Sequence, residues 1–192
     1  MSEREEILSL IKKEKKDVEM FKKFFPDDYK ASTYIIPFED LYKEGYRGLI
    51  FDIDNTLVPH GAPADDRAKK LFIRLKEIGF QCSLLSNNKE GRVKMFNEEI
   101  GVNYIYDAHK PSTKNYKKAM EIMGTNLQST IFIGDQLFTD VYGAKRTGIR
   151  NILVKPIHPK EEIQIVLKRY LEKIVLYFYK KERKKQKKVE KL

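Results

Sequence analysis

From Gly48 to Val154 the sequence alternates short apolar runs with longer stretches whose apolar residues recur every three to four positions. The runs are "GLIFDI", "FQCSLL", "NYIY", "STIFIG" and "RNILV". Between them lie "PADDRAKKLFIRLKEI", Lys89 to Glu99, "STKNYKKAMEIM" and "TDVYGAKRTG". Apolar runs of this length read as strands buried on both faces, and the helical period reads as amphipathic helices. Their alternation restricts the chain to an α/β fold: a doubly wound, Rossmann-like parallel sheet of about five strands. In the first helix Ala68, Leu71, Phe72, Leu75 and Ile78 share a face, and Gly79 is a natural stop. Ser112 is a candidate cap for the helix that follows it.

The flanks read differently. Residues 1–47 are expected to form an N-terminal helical and connector extension, 48–158 the core, and 159–192 an amphipathic helix with a basic tail. Met1 to Lys23 reads as a charged helix with Ile7, Leu10, Ile11, Val18 and Phe21 available for packing. "FFPDDYKASTYIIPFEDLYKEGY" reads as an aromatic-rich connector with a short helix near its end. From about Glu161 a long helix places Ile163, Leu167, Tyr170, Ile174 and Tyr177 on one face. Ile165, Leu171, Val175, Leu176 and Phe178 widen that face beyond an ordinary stripe.

The net charge of +10 is concentrated: Lys180 to Leu192 contributes +6 of it. Such a tail suits an anionic membrane surface or RNA, or is simply a solvated helix end. With Cys82 as the only cysteine, an intramolecular disulfide is impossible. No apolar run approaches the ~20 residues of a membrane span, and "MSEREEILSLIKKEKK" has no signal-peptide core. The expected location is the cytoplasm, with peripheral membrane contact through the tail.

Ligands of open α/β sheets sit at the carboxyl ends of the strands. The first strand releases Asp52 and Asp54, then Asn55 and Thr56. The second releases Ser86, Asn87 and Asn88. The third is followed by His109, Lys110 and Pro111, and the fourth by Asp135 with Asp140 a turn later. Carboxylates crowded at a buried strand end repel one another and resist desolvation. A divalent cation holding Asp52 and Asp135 resolves both problems. Oxygen ligands in a half-open site suit Mg²⁺, which also binds phosphate oxygens. Lys110 and Ser86 supply a positive charge and a donor for those oxygens. His60, His109 and His158 are scattered, which argues against zinc, and Cys82 lies inside a strand as a core residue.

"DIDNT", "LLSNN", "KP" at Lys110 and Pro111, and "GDQLFTD" together resemble the four ordered motifs of the haloacid dehalogenase superfamily of phosphatases. "FFPDDYKAS", "GLIFDIDNTLV" and "GDQLFTDVYGAKRTG" further resemble its YqeG-like, class IIIA group, which is related to mitochondrial phosphatidylglycerophosphate phosphatases. The resemblance implies that Asp52 is the nucleophile and forms an aspartyl-phosphate. It implies that Asp54 is the general acid and then the base. Mg²⁺ would be held by the Asp52 and Asp135 carboxylates and the Asp54 carbonyl. Thr56 and Ser86 would bond the phosphoryl group or brace the loop, with Asn55 and Asn87 beside the substrate. Lys110 would neutralise the phosphoryl oxygens and Asp52, and Asp140 would orient Lys110 or a metal-bound water. Superfamily members that keep a long-lived phosphoenzyme carry Thr at the position of Asp54, so this Asp points to a phosphatase or phosphomutase.

Substrate-selecting cap domains in this superfamily enter after the first motif or between the second and third. Each gap here has room for one helix and one strand, so no cap domain is expected. The expected function is Mg²⁺-dependent hydrolysis of a phosphomonoester, with a lipid head-group phosphate such as phosphatidylglycerophosphate as the first substrate. The alternatives are a phosphoprotein, nucleotide or sugar phosphate, or a non-catalytic RNA- or ribosome-associated interaction module. A homo-oligomer is compatible with the wide helical face.

Overall fold

The computed structural model describes residue 13, residues 15–158 and residues 163–189. The expected packing of Ile7, Leu10 and Ile11 lies outside the described residues, as do the side chains of Ile163, Ile165 and Leu167. Six parallel strands form one sheet: β1 (Asp28–Lys30), β2 (Gly48–Phe51), β3 (Gln81–Leu85), β4 (Asn103–Ile105), β5 (Thr130–Gly134) and β6 (Arg150–Val154). Their order is β1-β6-β5-β2-β3-β4. The chain runs outward from β2 through β3 to β4, and outward again from β5 to β6. The adjacent pair β2–β5 is therefore the topological switch point, where open sheets of this kind place a crevice.

The helices are α1 (residues 15–21), α2 (Phe38–Lys43), α3 (Asp66–Ile78), α4 (Glu90–Asn97), α5 (Lys114–Met123), α6 (Tyr142–Thr147) and α7 (Ile163–Val189). Alternate residues of the central strands feed opposite layers. Leu49, Phe51, Ile131 and Ile133 join Phe38, Phe72, Leu75 and Phe96 on one side of the sheet. Ile50 and Phe132 join Tyr116, Met120, Ala144 and Ile149 on the other. Burying each such side chain is worth about 1.5–3 kcal/mol, so a strand buried on both faces forms without an amphipathic pattern. In α3 the Asp65 side chain accepts from Ala68 N at 2.8 Å, and Gly79 ends the helix at φ 107°. Ala68, Leu71, Phe72 and Leu75 are buried as the periodicity requires.

Three local expectations change. Ser112 does not cap α5: the residue before the helix is Thr113, which makes no capping bond, while Ser112 N donates to His109 O at 2.8 Å. The connector holds a sixth strand, β1, on the edge beside β6. Tyr29 packs on the cluster around Leu153, and polar side chains reinforce the pairing. Asp27 accepts from Asn151 N at 2.9 Å and from Asn151 Nδ2 at 2.6 Å, and Arg150 pairs with Asp28 at 2.9 Å. Finally, α7 rests on the core through Glu172, Val175 and Tyr179, while Tyr170, Leu171, Ile174 and Tyr177 face outward. Polar anchors decide this rotation: Glu172 accepts from Leu137 N at 2.6 Å, a bond the fully apolar face could not make. Only α3 and β3 lie between Asp54 and Ser86, and only α4 and β4 between Asn88 and Lys110, so the core carries no cap domain.

Candidate active site

β2 ends at Phe51, and Asp52 N continues its pairing by donating to Ile133 O at 2.9 Å. The chain then turns sharply. Asn55 takes the left-handed conformation at φ 62°, which asparagine tolerates better than most residues, and its N–H donates to Val58 O at 2.7 Å. The loop after β1 braces this turn. Thr33 Oγ1 donates to Thr56 O at 2.7 Å, and the Tyr34 hydroxyl donates to Leu57 O at 2.5 Å. From the other side, Ile157 N donates to Asn55 O at 3.0 Å and His158 N to Asn55 Oδ1 at 3.2 Å. Asn55 thus ties the loop after β2 to the segment after β6.

Asp52 and Asp135 leave neighbouring strands at the switch point and are buried together with Asp140, with candidate ligand oxygens of the three within 4.8 Å of one another. Two cations hold the three carboxylates. Lys110 Nζ donates to Asp52 Oδ1 at 2.6 Å and to Asp140 Oδ1 at 2.7 Å. Arg169, from α7, pairs with Asp135 Oδ2 and donates to the Asp135 carbonyl at 2.6 Å. The remaining oxygens, Asp52 Oδ2 and Asp135 Oδ1, converge on Thr56 Oγ1 at 3.4 and 3.2 Å. Asp140 Oδ2 accepts from Asp135 N at 3.1 Å and Gln136 N at 3.0 Å, so Asp140 fastens Lys110 to the loop after β5. A Cβ at Gly134 would collide with the Asp140 carboxylate, which explains the glycine there.

Burial pushes the Asp52 carboxyl up to about 6 against the opposing pull of Lys110. Burial also raises Asp135 well above the usual carboxylate range, against Arg169 and with help from Asp52 and Asp140. Burial alone would lower the Lys110 ammonium, but Asp140 and Asp52 together raise it. Glu172 is raised by burial and steadied by Arg169 at 2.9 Å. Among the described residues, four carboxylates of the cluster (Asp52, Asp135, Asp140, Glu172) meet two cations (Lys110, Arg169). One divalent ion would make up that difference of two charges. The donor set is oxygen throughout, which fits a hard cation.

Asp54 lies apart from this cluster. It accepts from Arg92 Nη2 at 2.8 Å, Asn88 Nδ2 at 2.5 Å and Gly61 N at 2.7 Å. Ser86 is buried, and its Oγ accepts from Asn88 N at 3.2 Å. Asn87 grips the Lys110 main chain: Lys110 N donates to Asn87 Oδ1 at 2.7 Å, and Asn87 Nδ2 donates back to Lys110 O at 3.3 Å. Its amide therefore serves to place Lys110. Sequence reasoning missed Arg92, Arg169 and Glu172. Arg92 stands in the first turn of α4, directly after "SNN", where a basic side chain is well placed to reach back to the strand ends. Arg169 and Glu172 carry a local signal as well, an i,i+3 ion pair set into an apolar helix.

The HAD-hydrolase-like family model matches residues 108–162. The chain is 38% identical over 159 residues to the Bacillus subtilis (strain 168) protein named "Probable phosphatase YqeG", covering 82% of this chain and 92% of that one. It is 27% identical over 164 residues to "Phosphatidylglycerophosphate phosphatase 1, chloroplastic/mitochondrial" of Arabidopsis thaliana, covering 72% of this chain and 45% of that protein. It is 27% identical over 97 residues to "Glyceraldehyde 3-phosphate phosphatase" of Pyrococcus abyssi, covering 46% and 41%. The chain thus spans less than half the length of these last two. Identity at that level over nearly the whole of the Bacillus protein, on a switch-point cluster of aspartates, places the chain in the YqeG-like family of haloacid dehalogenase-superfamily phosphatases.

Proposed function

We propose that the protein hydrolyses a lipid head-group phosphomonoester, with Asp52 as nucleophile and Asp54 as acid and base. The carrying observation is the contrast between the surroundings of these two residues. Asp52 is buried, flanked by Lys110 and close to Asp135, whereas Asp54, two positions on, is held on the other side by Arg92 and Asn88. A bond forms between an Asp52 oxygen and phosphorus as the ester P–O bond breaks, and Asp54 gives its proton to the departing oxygen. Water then attacks phosphorus and passes a proton to Asp54. The bond to Asp52 breaks, and inorganic phosphate leaves. Lys110 neutralises phosphoryl charge throughout, and Asp140 keeps its ammonium in place. The Asp52 and Asp135 carboxylates and the Asp54 carbonyl would hold Mg²⁺. When bound, the ion neutralises phosphoryl oxygens and removes the repulsion between the two carboxylates.

The lipid reading is supported by the Arabidopsis relative, by the absence of a cap domain, and by the outward face of α7 leading into the basic tail. A water-soluble sugar phosphate is the second reading, favoured by the Pyrococcus relatives. No helix among the described residues is long and apolar enough to cross a membrane, so lipid contact would be peripheral. The test is a phosphomonoester screen with Mg²⁺ that includes lipid phosphates in vesicles, run beside Asp52→Asn. Turnover by the parent on vesicle-borne phosphate, none by the variant, and vesicle binding weakened on removal of Lys180–Leu192 are expected. Parental turnover on soluble esters alone would reject the lipid. Undiminished turnover by Asp52→Asn would reject the covalent route.

A further inference from the structure

Among the described residues, Tyr116 is the largest side chain that is wholly buried. Its ring packs on Phe132 of β5 at 5.0 Å, and the Lys110 ammonium lies over the same Phe132 ring at 5.5 Å. A phenylalanine would fill this space as well and would spare a buried hydroxyl, which costs free energy wherever it finds no partner. The hydroxyl here has partners. It donates toward Thr139 O at 3.1 Å and Asp140 O at 3.3 Å, sharing its one proton between the two carbonyls. A Cβ at Gly143, in the first turn of α6, would collide with this hydroxyl, so the glycine lets α6 come close to it.

The two carbonyls belong to a π-helical turn, Leu137–Val141, in which Tyr142 N reaches back five residues to Leu137 O. Turns of this kind recur at functional sites. Within it Asp140 is directed back at the strand ends, where Oδ1 accepts from Lys110 and Oδ2 from Asp135 N and Gln136 N. Thr139 O and Asp140 O flank the Asp140 Cα, so Tyr116 holds the main chain on both sides of that residue. The helix that bears Tyr116 is in turn tied to the Lys110 segment. Asn115 Nδ2 donates to Ala108 O at 3.0 Å, and Arg146 of α6 donates to Pro111 O at 3.2 Å. Lys110 and Asp140 are thus joined twice, directly by their side chains and behind them through Tyr116. We infer that Tyr116 is a positioning residue for the phosphoryl transfer: its hydroxyl fixes the Asp140 main chain, and Asp140 then sets where the Lys110 ammonium stands against Asp52. This deepens the phosphatase reading and rests on it. Being buried, Tyr116 acts only through Asp140 and Lys110.

The test is Tyr116→Phe, which keeps the ring and deletes the hydroxyl. On p-nitrophenyl phosphate kcat should fall by about tenfold, the scale on which displaced positioning groups act, with KM and the circular dichroism spectrum unchanged. An unchanged kcat, or a loss confined to KM, overturns the positioning role. A second arm needs no turnover and reads the lysine ammonium groups by NMR. Lys110 is buried and held by two carboxylates, so its ammonium should exchange slowly with water and give a separate signal, identified by its loss in Lys110→Arg. In Tyr116→Phe that signal should shift and exchange faster. A signal missing from the parent, or identical in Tyr116→Phe, overturns the inference. A chain that turns over no ester fails as a phosphatase, and the Lys110 signal alone then decides whether Tyr116 sets the ammonium.

Discussion

Arg169 and Asp135 are joined twice, guanidinium to carboxylate and guanidinium to main-chain carbonyl, the latter at 2.6 Å. Thirty-four positions separate them in the chain. The pair leaves Asp135 Oδ1 turned toward Thr56 and Asp52, just as Lys110 leaves Asp52 Oδ2 turned toward Thr56. Partners that orient a ligating carboxylate typically contribute 10–100-fold to metal affinity. Arg169→Ala should therefore weaken Mg²⁺ binding by about tenfold or more, read by calorimetry, with Arg169→Lys recovering part of it. An unchanged affinity would mean that the pair only docks α7.

Lys110 is buried between Asp52 and Asp140. Removing one partner of a buried ion pair leaves uncompensated charge and costs about 3–5 kcal/mol. Lys110→Met should lower the melting temperature markedly as well as abolish turnover. The stability loss should shrink when Asp140→Asn is added, because one of the stranded charges is then gone. Additive losses in the double variant would show that Lys110 and Asp140 act independently.

Cys82 gives a prediction with a definite sign. Burial disfavours its thiolate and pushes the thiol from 9.0 up to about 12. At pH 8 only about one thiol in ten thousand is then ionised, so iodoacetamide should label the native chain far more slowly than the unfolded one. Above about pH 9 the unfolded thiol ionises while the folded one stays protonated. This residue therefore subtracts stability as pH rises from 9.0 toward about 12. Equal labelling rates in water and in denaturant would contradict the burial.

The strands that carry the site were legible because strands buried on both faces must be apolar throughout. An aspartate closing such a run, as Asp52 closes β2 and Asp135 closes β5, then stands out against its neighbours. β1 was not legible. Two of its three residues are charged, and its place beside β6 is reinforced by Asp27 meeting Asn151, a pairing across 124 positions that no local pattern records. The rotation of α7 was hidden for a related reason. Its apolar residues nearly encircle the helix, and the choice of buried face was made by Arg169 and Glu172 finding Asp135 and Leu137 N. Asn55 and Asn87 stand out in the sequence only by their position after strand ends. Their hydrogen bonds, to the segment after β6 and to the Lys110 main chain, follow from loop geometry that the sequence does not display.

Asp54 offers the sharpest separation of roles. Its two oxygens accept four hydrogen bonds, from Gly61 N, Asn88 Nδ2 and the Nε and Nη2 of Arg92. An amide in its place keeps the shape but cannot move a proton, and it loses the charge that Arg92 pairs with. If Asp54 protonates the leaving oxygen, the need for it depends on that oxygen's basicity. Asp54→Asn should slow hydrolysis of an alkyl phosphate by about 10²–10⁴-fold, the usual worth of a positioned acid–base group. Release of p-nitrophenol, which leaves readily as the anion, should be slowed much less in the first step. The second step still needs a base, so phosphoenzyme should accumulate with that substrate. A burst of p-nitrophenol followed by slow turnover is the expected trace. Equal losses on both esters, without a burst, would assign Asp54 to holding Arg92 and Asn88 in place and would leave the acid to be sought elsewhere.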